Sequence, residues 1–554
     1  MIPVFDIEVI EWTEPIAVGF FDGTNYKEFL KVSEDFDVVW EFLSYLRDNY
    51  PGIKLYAHNA TNFDNKFILN SLHQHGEKVR FIAGMGKIIW VDTDISFEDS
   101  YLLLGRSLSL LCKAFNVESK LEWEHSETVD IWEMQAKLDS FRAYLKRDCL
   151  ALSEVLDAFC KELINKFGIV PSSTLALTSV KIFDKKFYPV KNIHSNEDNE
   201  SFIRYATYGG RNEVYRRYGE NLNLYDIRSM YLSCYDVPVP IGKLGWVRPN
   251  LDRGILAEAV VKVPKDSLIG PLPYRHKGHL VFPVGEFKGW WDMRELKFST
   301  SLGCDISITR QLDGDEDTVL KEFGDTIFDL RSNCGNRDLS RIWNLLGLRL
   351  SGKFGQHRWR TEVKHISEIE DFTGYYPIDE SEVYHEASVY QNGHRSPYVK
   401  PAVNMRIRSE ARIRHLEYLL EASKVGRVYY CDTDSVYTDV DMPLTSLPGG
   451  LQLMDYAQRA YFIQCKFYGY VDKLGNLKQR TAGYRDFKLW EVDFKGLLEG
   501  QNIQQQFQTI SNWRDILKRK GITLVDRYHP VSSLFSGRNR IVDGLDTQPI
   551  KLPE

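Results

Sequence analysis

Tyr430-Cys431-Asp432-Thr433-Asp434-Ser435 sets two aspartates between Gly426-Arg427-Val428-Tyr429 and Val436-Tyr437-Thr438-Asp439-Val440. β-Branched and aromatic residues on both sides predict a β-hairpin with the acids at its turn. Residues i and i+2 of an extended chain point the same way, so Asp432 and Asp434 are expected to present two carboxylates to one small volume. Like charges held that close are costly unless a cation lies between them. Mg²⁺, a hard oxygen-seeking ion, accepts such a pair when a substrate phosphate supplies further ligands. Taken alone, the six residues also suit a polar turn or the acid pair of a sugar-nucleotide transferase.

A second acidic strand narrows the choice. Asn223-Leu224-Tyr225-Asp226-Ile227-Arg228-Ser229-Met230-Tyr231 runs apolar into Asp226 and then breaks toward Ser229, Met230 and Tyr231. In order, neighbours and element type the two stretches resemble motifs A and C of family B DNA polymerases. The resemblance implies that Asp226 and Asp434 hold two Mg²⁺ (or Mn²⁺) ions with Asp432 close by. Those ions would activate a primer 3′-hydroxyl and steady the leaving pyrophosphate of a dNTP. It further implies that Tyr231 is a steric gate lying against the sugar and selecting deoxynucleotides.

Composition sets the outer bounds. At 554 residues the chain is too long for one core and suggests several domains. Its 43% apolar and 27% charged residues are those of a soluble globular protein, and no apolar run approaches a membrane span. The opening Met-Ile-Pro-Val-Phe-Asp does not read as a signal peptide, and the eight cysteines form no Cys-x-x-Cys pair, so a reducing, cytoplasmic setting is expected. A net charge of −7 is unlike a simple nucleic-acid coat, yet an enzyme rich in metal-binding acids can be acidic and still carry a local basic channel.

Near the N-terminus, Ile2-Pro3-Val4-Phe5-Asp6-Ile7-Glu8-Val9-Ile10 alternates as a strand that puts Asp6 and Glu8 on one face. Two acids there would burden a buried sheet, and metal binding would remove the conflict. Lys54-Leu55-Tyr56-Ala57-His58-Asn59 then leads to Asn62-Phe63-Asp64-Asn65-Lys66-Phe67, read as strand, turn and helix start. Asp64 there is either a helix N-cap or a ligand. Tyr144 and Asp148 lie four apart on one face of a helix reaching about Ile164, a spacing that also suits a structural hydrogen bond. In this order the pieces resemble motifs Exo I (Asp-x-Glu), Exo II (Asn-x-x-x-Phe-Asp) and Exo III (Tyr-x-x-x-Asp) of DnaQ-type proofreading domains. The resemblance implies metal ligands Asp6, Glu8, Asp64 and Asp148, a water-orienting Tyr144, and Asn59 and Phe63 against a single-stranded 3′ end. Glu98-Asp99-Ser100-Tyr101-Leu102-Leu103-Leu104 resembles the Ser/Thr-Leu motif of protein-primed polymerases, with Ser107-Leu108 as another register, and Lys120 matches a lysine that assists their exonuclease.

Tyr208-Gly209-Gly210 falls where the family has its Tyr-x-Gly-Gly loop, implying close backbone approach to template phosphates. Leu280–Gly285 and Gly289–Leu296 read as a return to the palm. Motif B matches only at its end, Gly352-Lys353-Phe354-Gly355, which puts Asn344 in place of the lysine that normally holds the triphosphate. Arg337 and Arg341, on the same helix, are the expected replacements, Arg341 foremost. Lys466-Phe467-Tyr468 resembles the family's Lys-x-Tyr motif, which implies that Lys466 contacts the primer terminus and that Tyr468 belongs to the same binding motif. Lys518-Arg519-Lys520 reads as a phosphate-contacting patch or a solvated helix end.

The expected fold is α+β and multidomain. An N-terminal DnaQ/RNase H-like exonuclease domain (1–185) precedes palm entry with motif A (186–237), a first insertion with return to the palm (238–335) and fingers with motif B (336–357). A second insertion (358–400), palm with motif C (401–445) and a thumb with the C-terminal region (446–554) complete the right hand. The resemblance is to protein-primed phage enzymes, so the expected protein is a monomeric viral polymerase. Its partners would be primer-template DNA, a single-stranded 3′ end and a terminal priming protein. A nuclease whose second half only grips DNA and a non-enzymatic replication scaffold are the alternatives.

Overall fold

Val4–Ile10 lies at the centre of a five-stranded mixed sheet ordered Tyr26–Leu30, Glu14–Phe21, Val4–Ile10, Lys54–Ala57, Ser96–Asp99. It runs antiparallel to Glu14–Phe21 and parallel to Lys54–Ala57. A parallel neighbour requires a crossover, which the helix Val38–Asn49 provides. Phe5 and Ile7 enter one core with Val18, Phe20 and Phe42, while Val4 faces the other side. By the alternation of a strand, Asp6 and Glu8 share the Val4 side, against which the helix Leu138–Phe167 packs. This computed structural model describes every residue except 85, 122, 124–136, 189–192, 380, 392–396, 485–486, 520, 533–539 and 553–554. The side chain of Arg519 and all of Lys520, from the expected basic patch, therefore lie outside the described residues.

The two polymerase-like stretches meet in a seven-stranded antiparallel sheet. Its order is Leu477–Thr481, Phe467–Asp472, Leu451–Gln464, Tyr218–Ile227, Ser435–Thr438, Val428–Asp432, Asn212–Val214. The helix Pro401–Val425 packs against it and shows no single apolar stripe because it is covered on several sides. Three of its cations are neutralised there. Arg406 pairs with Asp292 and Glu316, Arg412 with Glu295, and Arg414 with Glu410 and Asp236.

One expectation needs correction. Residues 280–296 do not rejoin that sheet. Val284–Asp292 belongs to a separate five-stranded sheet with Gly245–Val247, Leu256–Val263, Asp305–Asp313 and Lys551–Leu552, because Leu256–Val263 supplies it with a full antiparallel partner. The segment after motif B pairs with the N-terminal region. Trp359–His365, Tyr375–Pro377 and Tyr384–Tyr390 share a sheet with Arg80–Gly84 and Lys87–Asp92, joined where Val363 pairs with Phe81. Arg80 donates to Glu362 across that seam, at 2.8 Å from Nε and 2.6 Å from Nη2.

Two helices, Lys321–Asn333 and Arg337–Phe354, form a hairpin, the second packing against the long helix Pro401–Val425. The turn between them uses Gly335 at φ 66°, and Asn336 caps the second helix. Near the C-terminus, Trp513 packs edge-on to Phe81, so the helix Trp513–Arg519 closes against the N-terminal core. Among the described residues no helix is long and apolar enough to cross a membrane.

Candidate functional site

The first carboxylate group sits where two strands end. Val428–Asp432 and Ser435–Thr438 form the predicted hairpin, and Ser435 pairs with Asp226 on the adjoining strand. The Ile227 amide donates to the Asp434 carbonyl at 2.7 Å, which closes the two acidic stretches on each other. The turn is tighter than an extended chain. Thr433 takes φ 62°, so i, i+2 alternation does not apply and the two aspartates acquire different surroundings. Asp432 Oδ1 accepts from Asn212 Nδ2 at 2.9 Å and Thr433 Oγ1 at 3.2 Å, with Lys466 Nζ 3.4 Å away. Asp434 has no side-chain donor among the described residues. Burial, followed by the charges of Asp226 and Asp432, pushes its carboxyl up to about 7. Burial also raises Asp226, against the opposing hydrogen bond from Gln452 Nε2 at 3.0 Å.

The expected neighbours fall around this centre in part. Tyr231 is half-buried, with Arg408, Arg412 and Asp434 all acting electrostatically on its ring hydroxyl. Gly210 meets Thr433 so closely that an added Cβ would lie 2.8 Å from its side chain, and the Thr433 amide donates to the Arg211 carbonyl at 2.7 Å. Arg412 donates to the Tyr208 and Gly209 carbonyls at 2.9 and 3.1 Å, fixing the Gly-Gly loop to the Pro401–Val425 helix. Lys466 reaches the hairpin through Asp432. Tyr468 is withdrawn from the surface. It is buried among Tyr430, Tyr437 and Phe462 with its hydroxyl 2.8 Å from that of Tyr437, because its strand turns this side into the sheet's own core. Arg341 is also committed elsewhere. Its guanidinium pairs with Asp338 at 3.1 Å, one turn back on the same helix, while Arg337 is exposed at the helix start.

The second carboxylate group forms on the N-terminal sheet. Asp6, Glu8 and Asp148 each offer an oxygen, and these lie within 4.8 Å of one another. Burial and the Asp148 charge raise Asp6 to about 7, while burial and Asp6 raise both Glu8 and Asp64. Asp64 opens its helix without capping it, since Phe63 is the cap residue, and its Oδ1 is buried with no hydrogen-bond partner. The N-cap alternative is therefore excluded. Tyr144 hydrogen-bonds Glu8, and burial together with the acids raises its phenol. Lys120 Nζ stands 3.1 Å from Asp148 Oδ2 and 5.5 Å from the Tyr144 ring centre. Both carboxylate groups offer a crowded, all-oxygen donor set with under-satisfied acids. That chemistry suits Mg²⁺ or Mn²⁺ and not a thiophilic ion.

Two residues at this site were not among the expected site residues. Asp99 is buried and accepts from the Asn59 and Thr61 amides at 2.9 and 3.0 Å and from Thr61 Oγ1 at 2.7 Å. It thereby holds Asn59 in the left-handed region at φ 70°. Trp12 occupies the turn after the first strand at φ 63°, 60% exposed, with its ring edge-on to Phe63 at 6.3 Å. Only the oddity of a tryptophan in a tight turn could have flagged it.

Comparison with known proteins bears on both groups. A family model described as DNA polymerase type B, organellar and viral, matches residues 48–133 and 124–419. A "Probable DNA polymerase" of Neurospora intermedia is 23% identical over 602 residues, covering 92% of this chain and 61% of that protein. One from Ascobolus immersus is 25% identical over 576 residues, covering 88% and 47%. The chain thus spans about half to three-fifths of the length of these curated relatives. In three dimensions it is similar to Phi29 DNA polymerase complexed with primer-template DNA and incoming nucleotide, with TM-score 0.70 and 16% identity, over 95% of this chain and 99% of that one. The fold is accordingly that polymerase's α+β fold, and the family match, spanning about two thirds of the sequence, places this chain in the organellar and viral type B DNA polymerase family.

Proposed function

We propose that this chain is a DNA-directed DNA polymerase with a 3′–5′ proofreading exonuclease, acting as a monomer on primer-template DNA in a viral or organellar setting. The observation that carries the reading is the meeting of Asp226 and Asp434, far apart in sequence, at the ends of adjoining interior strands of the seven-stranded sheet. Mg²⁺ or Mn²⁺ ions held by Asp226 and Asp434, two per site, would supply activation of the primer 3′-hydroxyl and neutralise charge developing on pyrophosphate. The chain's own residues prepare that chemistry. Asp432, held by Asn212 and Thr433, adds negative potential and anchors Lys466, whose ammonium faces the primer terminus. Tyr231 lines the sugar position and excludes a 2′-hydroxyl. The backbone of Gly209 and Gly210, pinned by Arg412, tracks template phosphates.

In the N-terminal site, Asp6, Glu8, Asp64 and Asp148 are the ligand set for the hydrolytic ions. Tyr144, fixed by Glu8, orients the attacking water, and Lys120 offsets part of the charge at Asp148. Asn59 and Phe63 receive a single-stranded 3′ end. The segment 238–335 is the proposed dock for a terminal priming protein, a reading supported by its position between motifs A and B. Asn344 in place of the motif B lysine favours one rival, a nuclease with an inert synthetic half. Extension of a labelled primer with dNTPs and Mg²⁺ separates the two. Asp434→Asn is expected to lower extension by roughly 10³-fold or more and leave degradation, and Asp6→Ala to do the reverse. Loss of both activities in either variant would overturn the assignment of two independent sites.

A further inference from the structure

The helix Arg337–Phe354 presents Asn344 where the resemblance expects a phosphate-holding lysine, and Arg341 is paired with Asp338. The neighbouring helix Lys321–Asn333 delivers another cation to that position. Arg331 Nη1 donates to Asn344 Oδ1 at 3.2 Å, so its guanidinium rests on the very side chain that replaces the lysine. Two charges act on Arg331 besides its burial, namely Arg228, which disfavours the cation, and Asp226, which favours it. Arg331 is therefore within electrostatic reach of both.

Arg228 comes from the turn directly after the Asp226 strand. Its Nε and the hydroxyl of its neighbour Ser229 are buried without a hydrogen-bond partner, and Ser229 is only 9% exposed. Ser229 takes φ 51°, which re-aims the chain just past the acid. Among the described residues neither Arg228 nor Arg331 makes an ion pair with a carboxylate, unlike Arg406, Arg412 and Arg414 nearby. Two half-buried guanidiniums that share the charge of Asp226 without pairing to it, beside unfilled donors, keep an excess of positive charge that is unfavourable alone and favourable around an anion. Guanidinium groups also match phosphate oxygens bidentately.

We propose that Arg331 and Arg228, with the Ser229 hydroxyl, form a phosphate site that takes over the duty of the missing motif B lysine, and that its ligand is the polyphosphate of the incoming nucleotide. The proposal rests on the polymerase reading, and the test separates the two. Isothermal titration of the full chain with inorganic tripolyphosphate reads the site without turnover. Arg331→Ala and Arg228→Ala are each expected to weaken binding by roughly tenfold or more. In primer extension the dNTP KM should rise by a similar factor, while primer-template affinity stays within about twofold and exonuclease rate is unchanged. Arg331→Gln removes the charge with less loss of packing and should behave as Arg331→Ala does, which covers the case where the alanine variant does not fold. Unchanged tripolyphosphate affinity in both arginine variants overturns the proposal. So does a loss of primer-template affinity in place of the KM effect, which would assign the arginines to the DNA backbone. If tripolyphosphate binds through Arg331 but no primer is extended, the phosphate site stands and the polymerase reading fails.

Discussion

Asp432 and Asp434 are chemically identical and two residues apart, yet their surroundings divide them. Asp432 is satisfied by Asn212 and Thr433, whereas Asp434 is raised to about 7 by burial and by two neighbouring acids. The less satisfied carboxylate gains more from a cation, which is why Asp434 and not Asp432 is the stronger ligand candidate. Trp12 makes a similar point at the other centre. Its exposed ring beside Phe63 extends the aromatic surface next to Asp64, the arrangement that accepts a stacked base without regard to sequence. Trp12→Ala is therefore expected to raise the KM for single-stranded DNA degradation by roughly tenfold with little change in kcat. Steady-state kinetics on a labelled oligonucleotide measure it, and an unchanged KM would remove Trp12 from the substrate path.

At the level of elements, the motif C hairpin is held from three directions. The Gly-Gly loop presses on Thr433, the strand Tyr218–Ile227 pairs along one side, and His415 of the long helix lies 3.0 Å from the Ser435 carbonyl through Nε2. Burial pushes His415 down to about 4, so the ring is neutral at physiological pH and Nε2–H donates to that carbonyl. Glycine at 210 is a steric requirement of this packing, since a methyl group would strike Thr433. Gly210→Ala should lower primer extension by about tenfold and spare the exonuclease. Thr433→Gly in the same chain should restore most of the loss, because it removes the obstructing side chain and suits φ 62°. A double variant no better than Gly210→Ala would show that the loop acts by some other route.

Across the whole molecule, the two acid clusters share a dependence on charge, and the sheet joining Arg80–Asp92 to Trp359–Tyr390 ties the regions that hold them. Asp6 and Asp434 are both raised to about 7, by burial first and by adjacent carboxylates next. A carboxyl with a raised folded pKa contributes stability below its unfolded value of about 4, and loses it as pH rises through about 7. The ion-free chain is thus expected to melt lower at pH 8 than at pH 6. Mg²⁺ should raise Tm by roughly 2 °C or more at pH 8 and much less at pH 5, where protons already relieve the repulsion. Thermal melts with Mg²⁺ or with EDTA at each pH check this. An equal Mg²⁺ effect at both would mean that the clusters are not its origin.

How much of this was legible in the chain itself depends on how local each cause is. Alternation and turn chemistry marked the strands Val4–Ile10 and Tyr218–Ile227 and the hairpin at Asp432, because those patterns act over a few residues. The order of acidic motifs identified which strands carry carboxylates. Their convergence needed the sheet, since Ser435 finds Asp226 only through pairing across some two hundred residues. The same holds for cations. A sequence offers Arg341 and Arg331 alike; the first finds Asp338 within its own helix, but only the packing of two helices decides that the second meets Asn344 within reach of Asp226. Propensity and side-chain type are written along the chain, whereas burial and partnership depend on residues distant in it, and in this protein they set the chemistry of each charged group.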